Sequence, residues 1–277
     1  MSDLQQRLQE ALSDRYRVLS EIGHGAMAYV YLAERHSDSA KVAVKVMDPD
    51  MTMGLGAERF LREIKISSAL EHPHIVPILD QDHGGDLMYF VMQYIEGESL
   101  RALMTREGQM RVDPALGFSQ EVGSALSYAH AHGVIHRDIK PENVLISDGH
   151  AVVADFGVAR AIQEAHEDIL TAPGVALGTP DYMSPEQARG TRRLDGRTDI
   201  YSLCCMLYEM LAGEPPFPGD HESAIMARRI MEEPPHIKDV RKDVPRAIDR
   251  ILLKGMATNP KRRYSTATQF VEAIAKL

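Results

Sequence analysis

The residue types best suited to chemistry lie in one stretch, His136-Arg137-Asp138-Ile139-Lys140-Pro141-Glu142-Asn143, and in a second, Asp155-Phe156-Gly157, which begins twelve residues past Asn143. Two carboxylates and an amide on short loops suit a site for a divalent cation and a phosphate ester. Asn143 and Asp155 are hard oxygen ligands of the kind that magnesium takes alongside waters and phosphates. Asp138 would face an incoming hydroxyl. A lone His-Arg-Asp is ordinarily a satisfied loop; two motifs in this order and at this separation point to a reaction.

These loops need elements to hold them. Residues 114–132 read as a long helix with Ala115, Phe118, Val122, Ala125, Leu126 and Ala129 inward, which delivers the chain to His136. Val144-Leu145-Ile146 and Ala151-Val152-Val153-Ala154 read as short strands on either side of a turn. Upstream, residues 16–47 read as strands, and Leu4, Leu8 and Leu12 predict a short amphipathic helix over 3–13, a flanking segment laid on the domain. Ile22-Gly23-His24-Gly25 precedes Ala28 and Val30, and glycines at 23 and 25 let a backbone approach a phosphate closely. Alone, such a glycine pair is common in hairpins. In Val42-Ala43-Val44-Lys45-Val46, Ala43 and Lys45 share one face of a strand. A strand lysine is ordinarily a solvated edge residue; beside a small residue and after a glycine hairpin it suits a nucleotide's phosphates. A helix over 57–70 puts Phe60, Ile64 and Ser67 or Ser68 on one face. Strands follow at 75–79 and 87–94, with His83-Gly84-Gly85-Asp86 as a turn. His72 and His74 lack a third ligand nearby and read as that helix's exit turn rather than a metal site. From residue 98 the helical period takes over, with Leu100, Leu103 and Met104 on one short face.

The two motifs together resemble the catalytic loop and the metal-binding loop of the protein kinases. The resemblance spans residues 15–275 and implies an α+β, bilobal fold: a flanking segment at 1–14, a small β-rich lobe with one main helix at 15–96, and a larger helical lobe at 97–277. It departs at Ala28, where the family has a third glycine, and at Ser184-Pro185-Glu186, where the family more often has Ala-Pro-Glu. By resemblance, Lys45 holds ATP phosphates and pairs with Glu63, eighteen residues on, with Glu58 the competing choice. Ser67 stands where the family usually has a hydrophobic residue, which implies a less firmly docked helix. Ile22, Gly23, Gly25, Ala28, Val30, Ala43 and Leu145 would enclose the nucleotide. Met92 would border the adenine, and the backbone of Gln93, Tyr94 and Ile95 would bond its edge. Magnesium, with manganese as a substitute, would sit on Asn143 and Asp155. Asp138 would accept the hydroxyl proton late, and Lys140 would neutralise the migrating phosphoryl group, as in the Ser/Thr kinases.

The resemblance further implies control by phosphorylation. Arg137 would pair with a phosphate on the loop that runs from Asp155 to Glu186, with Thr171 the first choice of site. Thr179 would bond Asp138 and Lys140. Asp199 would cap the catalytic-loop backbone, and Glu186 would pair with Arg263, or with Arg262. In style the chain is similar to bacterial receptor-type Ser/Thr kinases. That implies protein substrates, autophosphorylation, a homodimer through the small lobes, and a membrane tether only through residues beyond this chain. A nucleotide-binding scaffold without catalysis and a small-molecule kinase of the same fold are the rival readings.

A net charge of −9 over 277 residues argues against a nucleic-acid partner. With 44% hydrophobic and 26% charged residues the chain is globular. Cys204 and Cys205 are adjacent on a helical pattern and point different ways, so a structural disulfide is not expected and a reducing, cytoplasmic setting is. The most apolar run, Ile200 to Tyr208, is too short to span a bilayer.

Overall fold

The computed structural model describes residues 2–25, 28–49, 57–84, 87–158, 180–191, 193–219 and 221–277. Thr171 and Thr179 lie outside the described residues. Among the described residues the chain forms two compact units, one of residues 2–71 and 76–96, the other of 72–75 and 97 onward.

The first unit is a five-stranded antiparallel sheet with a helix on it. In chain order it has α1 (Asp3–Leu12), β1 (Tyr16–His24), β2 (Ala28–Arg35), β3 (Lys41–Met47), α2 (Ala57–Ser67), β4 (Ile78–Gly84) and β5 (Leu87–Gln93), with strand order β1-β2-β3-β5-β4. Alternation assigns the faces. Tyr31, Ala33, Val42, Val44, Val46, Tyr89 and Val91 are buried on one side, in one cluster with Leu8 and Leu12 of α1. Fully burying each leucine is worth about 1.5–3 kcal/mol. The Gln9 side chain completes the docking: its amide oxygen accepts from Val18 N at 2.8 Å and its amide nitrogen donates to the Tyr16 carbonyl at 3.2 Å. The helix thus bonds to backbone groups that an edge strand would otherwise present to solvent. On the other face, Ala43 lies opposite Leu32 and Met92, and Lys45 opposite Val30 and Phe90.

The strand expected at 75–79 runs instead over Ile78–Gly84, because Pro77 has no N–H to give a ladder. The Pro77 carbonyl accepts from Gln93 N at 3.0 Å, while Ile75 makes a lone parallel bridge to Val153 in the second unit. His83 and Gly84, expected in a turn, stay in the ladder opposite Met88 and Leu87.

The second unit carries a small sheet, β6 (Glu98–Ser99), β7 (Val144–Ser147) and β8 (His150–Val153), paired in that order. Its helices are α3 (Leu100–Glu107), α4 (Val112–Ala131), α5 (Pro185–Ala188), α6 (Arg197–Ala212), α7 (Glu222–Met231), α8 (Ile237–Val240), α9 (Arg246–Gly255) and α10 (Ala267–Ile274). The inward residues of α4 are all buried, and the helix starts two residues before the expected Pro114, which sits in its first turn where a missing N–H costs nothing. α6 is buried all round from Thr198 to Ala212 and ends at Gly213, whose φ of 85° is the left-handed conformation that stops a helix. Of the described residues, none belongs to a helix long and apolar enough to cross a membrane.

Candidate active site

The second unit builds the catalytic stretch from its backbone outward. Asp199, fully buried on the first turn of α6, accepts from His136 N at 2.9 Å and from Arg137 N at 2.8 Å. Its Oδ2 also meets His130 Nε2 at 2.8 Å. Burial alone would raise the Asp199 carboxyl. The hydrogen bond and charge of His130, with His136 and the Arg137 N–H, outweigh burial and hold it below the usual carboxylate range. These contacts secure a costly backbone: Arg137 has φ 68°, the left-handed region. The Arg137 carbonyl accepts from Gln187 Nε2 at 2.8 Å, which ties the stretch to α5. The buried His136 ring reaches the Ala154 carbonyl at 2.9 Å and packs edge-on to Phe156, 4.6 Å between centroids.

Three of the expected site residues then touch. Lys140 Nζ lies 2.8 Å from Asp138 Oδ2, and Asn143 Nδ2 donates to the Asp138 carbonyl at 2.8 Å and to the same Oδ2 at 3.0 Å. With its nitrogen committed, Asn143 has its amide oxygen to offer elsewhere. Ala154 N donates to the Asn143 carbonyl at 2.9 Å, so Asp155 begins one hydrogen-bonded step from Asn143. Asp155 has φ 65°, a second left-handed residue at the site. A hard amide oxygen and a carboxylate from adjoining loops fit magnesium, which needs few protein ligands when phosphates and water supply the rest. Among the described residues no group of three or more His, Cys, Asp or Glu could hold a metal.

The first unit places the remaining candidates. Ala43, Lys45, Val30 and Met92 lie on one sheet face. Glu63 is buried on α2 beside Phe60 and Ile64, whereas Glu58 is exposed. Ser67 is buried too, its hydroxyl turned back to the Glu63 carbonyl at 3.3 Å. Gln93 N donates to the Pro77 carbonyl at 3.0 Å, so of the expected base-edge groups this N–H is already used. Ile22 is exposed and Ala28 buried. A Cβ at Gly23 or Gly25 would meet nothing within 4 Å, so the fold itself does not demand glycine at either place. What glycine leaves there is open space against the backbone. Leu145 lies half-buried on β7 of the second unit.

A platform follows in the second unit. Ser184 caps α5 in a reciprocal box with Gln187, and its hydroxyl meets Thr198 Oγ1 at 2.6 Å. Glu186 and Arg263 form a two-pronged ion pair at 2.6 and 2.7 Å, with Arg263 fully enclosed and Arg262 exposed. Contacts unexpected from sequence surround it. Arg229, wholly buried, donates to the Met183 carbonyl at 3.0 Å. Arg101 joins Glu142, Glu209 and the Tyr182 hydroxyl. Their partners lie tens of residues away, so no local pattern announces them; the one available signal is Glu209, a charge within the apolar run from Leu203 to Ala212.

The family described as "Protein kinase domain" matches residues 16–274. Among curated proteins, the chain is similar to Serine/threonine-protein kinase PknB of Mycolicibacterium smegmatis, 40% identical over 264 residues, 93% of this chain and 42% of that protein. PknB of Mycobacterium tuberculosis is 40% identical with the same coverage. Serine/threonine-protein kinase PrkC of Bacillus subtilis is 38% identical over 258 residues, 92% of this chain and 39% of that protein. The chain thus spans about two-fifths of the length of these relatives.

Proposed function

Because this chain belongs to the protein kinase family, we propose that it transfers the γ-phosphoryl group of ATP to serine and threonine hydroxyls of proteins in bacterial signalling. The observation that carries the reading is the contact of Lys140 and Asn143 with one carboxylate oxygen of Asp138. Phosphoryl transfer asks for positioning and charge neutralisation more than covalent help. Asp138, held from two sides, orients the acceptor hydroxyl and takes its proton. Lys140, already at that oxygen, neutralises the group in transit. Asn143 and Asp155 would hold magnesium or manganese, which when bound supplies positive charge to the phosphates. Lys45, fixed by Glu63, serves the nucleotide from the first unit, with Ala43, Val30, Met92 and the 93–95 backbone at the base and Ile22, Gly23, Gly25 and Ala28 over the phosphates.

Autophosphorylation at Thr171 belongs to the same proposal. Its support is Arg137, whose backbone is pinned by Asp199 and Gln187 next to Asp138, where a phosphate's added charge of about −1.5 to −2 would act on the catalytic residue's neighbour. Thr179 serves the acceptor side. The buried, unpaired thiols Cys204 and Cys205 suit the cytoplasm.

Incubation with labelled ATP and magnesium tests the reading. Label on serine or threonine of a generic protein substrate is expected. Nucleotide binding with no transfer would instead make the chain a scaffold. Label on a sugar or antibiotic alone would make it a small-molecule kinase.

A further inference from the structure

Of the ten residues of α7, only Ile225 and Arg229 are buried, a stripe at i and i+4 that a helix lying on a core ordinarily fills with apolar side chains. Arg229 departs from that pattern. Its side chain is fully enclosed, with the guanidinium 5.7 Å from the centroid of the Tyr201 ring and 5.4 Å from that of Phe217. Nη1 donates to the Met183 carbonyl at 3.0 Å and lies 3.4 Å from the Tyr201 hydroxyl and 3.5 Å from Cys205 Sγ. None of these partners is a carboxylate, and Nε and Nη2 have no hydrogen-bond partner among the described residues. Asp181, in the turn Pro180–Tyr182, acts on the guanidinium through space without bonding to it. Rings within about 6 Å offset part of a cation's desolvation. An enclosed charge without a bonded counter-ion remains a net cost to the fold, one that an apolar side chain of the same length would not carry.

That cost accompanies a directional bond at one place. The Met183 carbonyl is the second of two consecutive carbonyls held by side chains of different helices. Ser202 Oγ of α6 donates to the Tyr182 carbonyl at 2.7 Å, and Arg229 of α7 donates to the next. Because each peptide unit is planar, two successive planes are fixed in rotation. They stand directly before Ser184-Pro185-Glu186, where the Ser184 hydroxyl meets Thr198 Oγ1 and Glu186 is clasped by Arg263. The bond from Arg229 is charge-assisted, which makes it stronger and more directional than a neutral donor's.

We infer that Arg229 is a positioning residue for the protein substrate: its buried guanidinium sets the Met183 peptide plane, and with it the segment 182–184 that a peptide meets, at the expense of fold stability. This inference rests on the protein-phosphorylating reading above.

The test uses the full chain with magnesium, labelled ATP and a panel of serine peptides. Arg229→Met is expected to raise KM for the peptides about tenfold, the worth of one charged hydrogen bond, while KM for ATP holds. The same variant is expected to melt no lower than wild type, because the enclosed charge has gone. Arg229→Lys keeps a charged donor for the carbonyl and is expected to recover part of the peptide KM. Unchanged peptide KM in folded Arg229→Met overturns the inference, as does a rise shared equally by ATP. A lysine variant no better than the methionine one overturns it too, since the bond to the carbonyl would then not be the cause. So does a clear fall in melting temperature, or failure of Arg229→Met to fold, which would make the guanidinium a support of the fold. Failure of the wild type to label any peptide overturns the underlying reading instead.

Discussion

Asn143 donates its side-chain amide to two acceptors on one residue, the carbonyl of Asp138 at 2.8 Å and its Oδ2 at 3.0 Å. The amide fixes the carboxylate's direction while presenting its own oxygen elsewhere, so the orientations of the Asp138 carboxylate and the Asn143 amide oxygen are set by a single rotamer. Asp138→Asn leaves the loop nearly isosteric and removes the negative charge. Turnover is expected to fall by about 10²–10⁴, the usual worth of a positioned general base, while ATP affinity stays as it was. Single-turnover kinetics beside a nucleotide titration separates the two. Turnover near the wild-type rate would remove Asp138 from its role.

Asp199 joins acid chemistry to stability. An unfolded aspartate titrates near about 3.9, and the folded Asp199 titrates below that because His130, His136 and the Arg137 N–H outweigh burial. A depressed folded value stabilises the native state above the unfolded value and loses that contribution as pH falls through the folded one. Asp199→Asn keeps the shape and removes the charge. The variant is expected to be less stable at neutral pH, with the gap to wild type narrowing as the pH drops below about 4. Denaturant melts across pH measure this. A gap that widens on acidification would contradict the assignment.

The Glu186–Arg263 pair is enclosed on the arginine side and nearly so on the glutamate side, 0% and 13% exposed. Removing one member strands the other, at a cost of about 3–5 kcal/mol. Glu186→Ala is expected to show that loss in denaturant unfolding. The double variant with Arg263→Met should lose less than the sum of the single variants, since each alone already breaks the pair. Additive losses would show that the two charges act independently despite their 2.6 Å contact.

What could be read from sequence was what is contiguous. The two loop motifs, the alternation around Lys45 and the inward stripe of α4 each depend on residues within one or two turns of one another. The long-range ties could not be read. Asp199 reaches His136 across 63 positions, and Arg101 reaches Glu209 across 108. The strand at 78–84 begins later than its apolar residues suggest, because Ile75 and Val76 look like strand while Pro77 has no N–H to give a ladder. The docking of α1 was half legible: its leucine repeat marked a buried stripe, but Gln9, a polar residue on a helix, gave no sign of bonding the edge of β1.

Gly255 shows a glycine kept for packing rather than for turn geometry. It ends α9 just where a helix-stopping glycine would be expected, yet its φ is not left-handed, and a Cβ there would lie 2.0 Å from Cys204 Sγ on α6. Cys204 is fully buried, so the sulfur has nowhere to retreat. Gly255→Ala is therefore expected to destabilise by about 1–3 kcal/mol, overpacking that outweighs alanine's better helix propensity of about 1 kcal/mol. Cys204→Ala in the same chain removes the obstructing atom and should recover most of the loss. Thermal unfolding of the two single variants and the double variant checks this. A double variant less stable than either single one would mean that the glycine answers to the backbone after all, and that α6 and α9 are not held at this spacing by the Cys204–Gly255 contact.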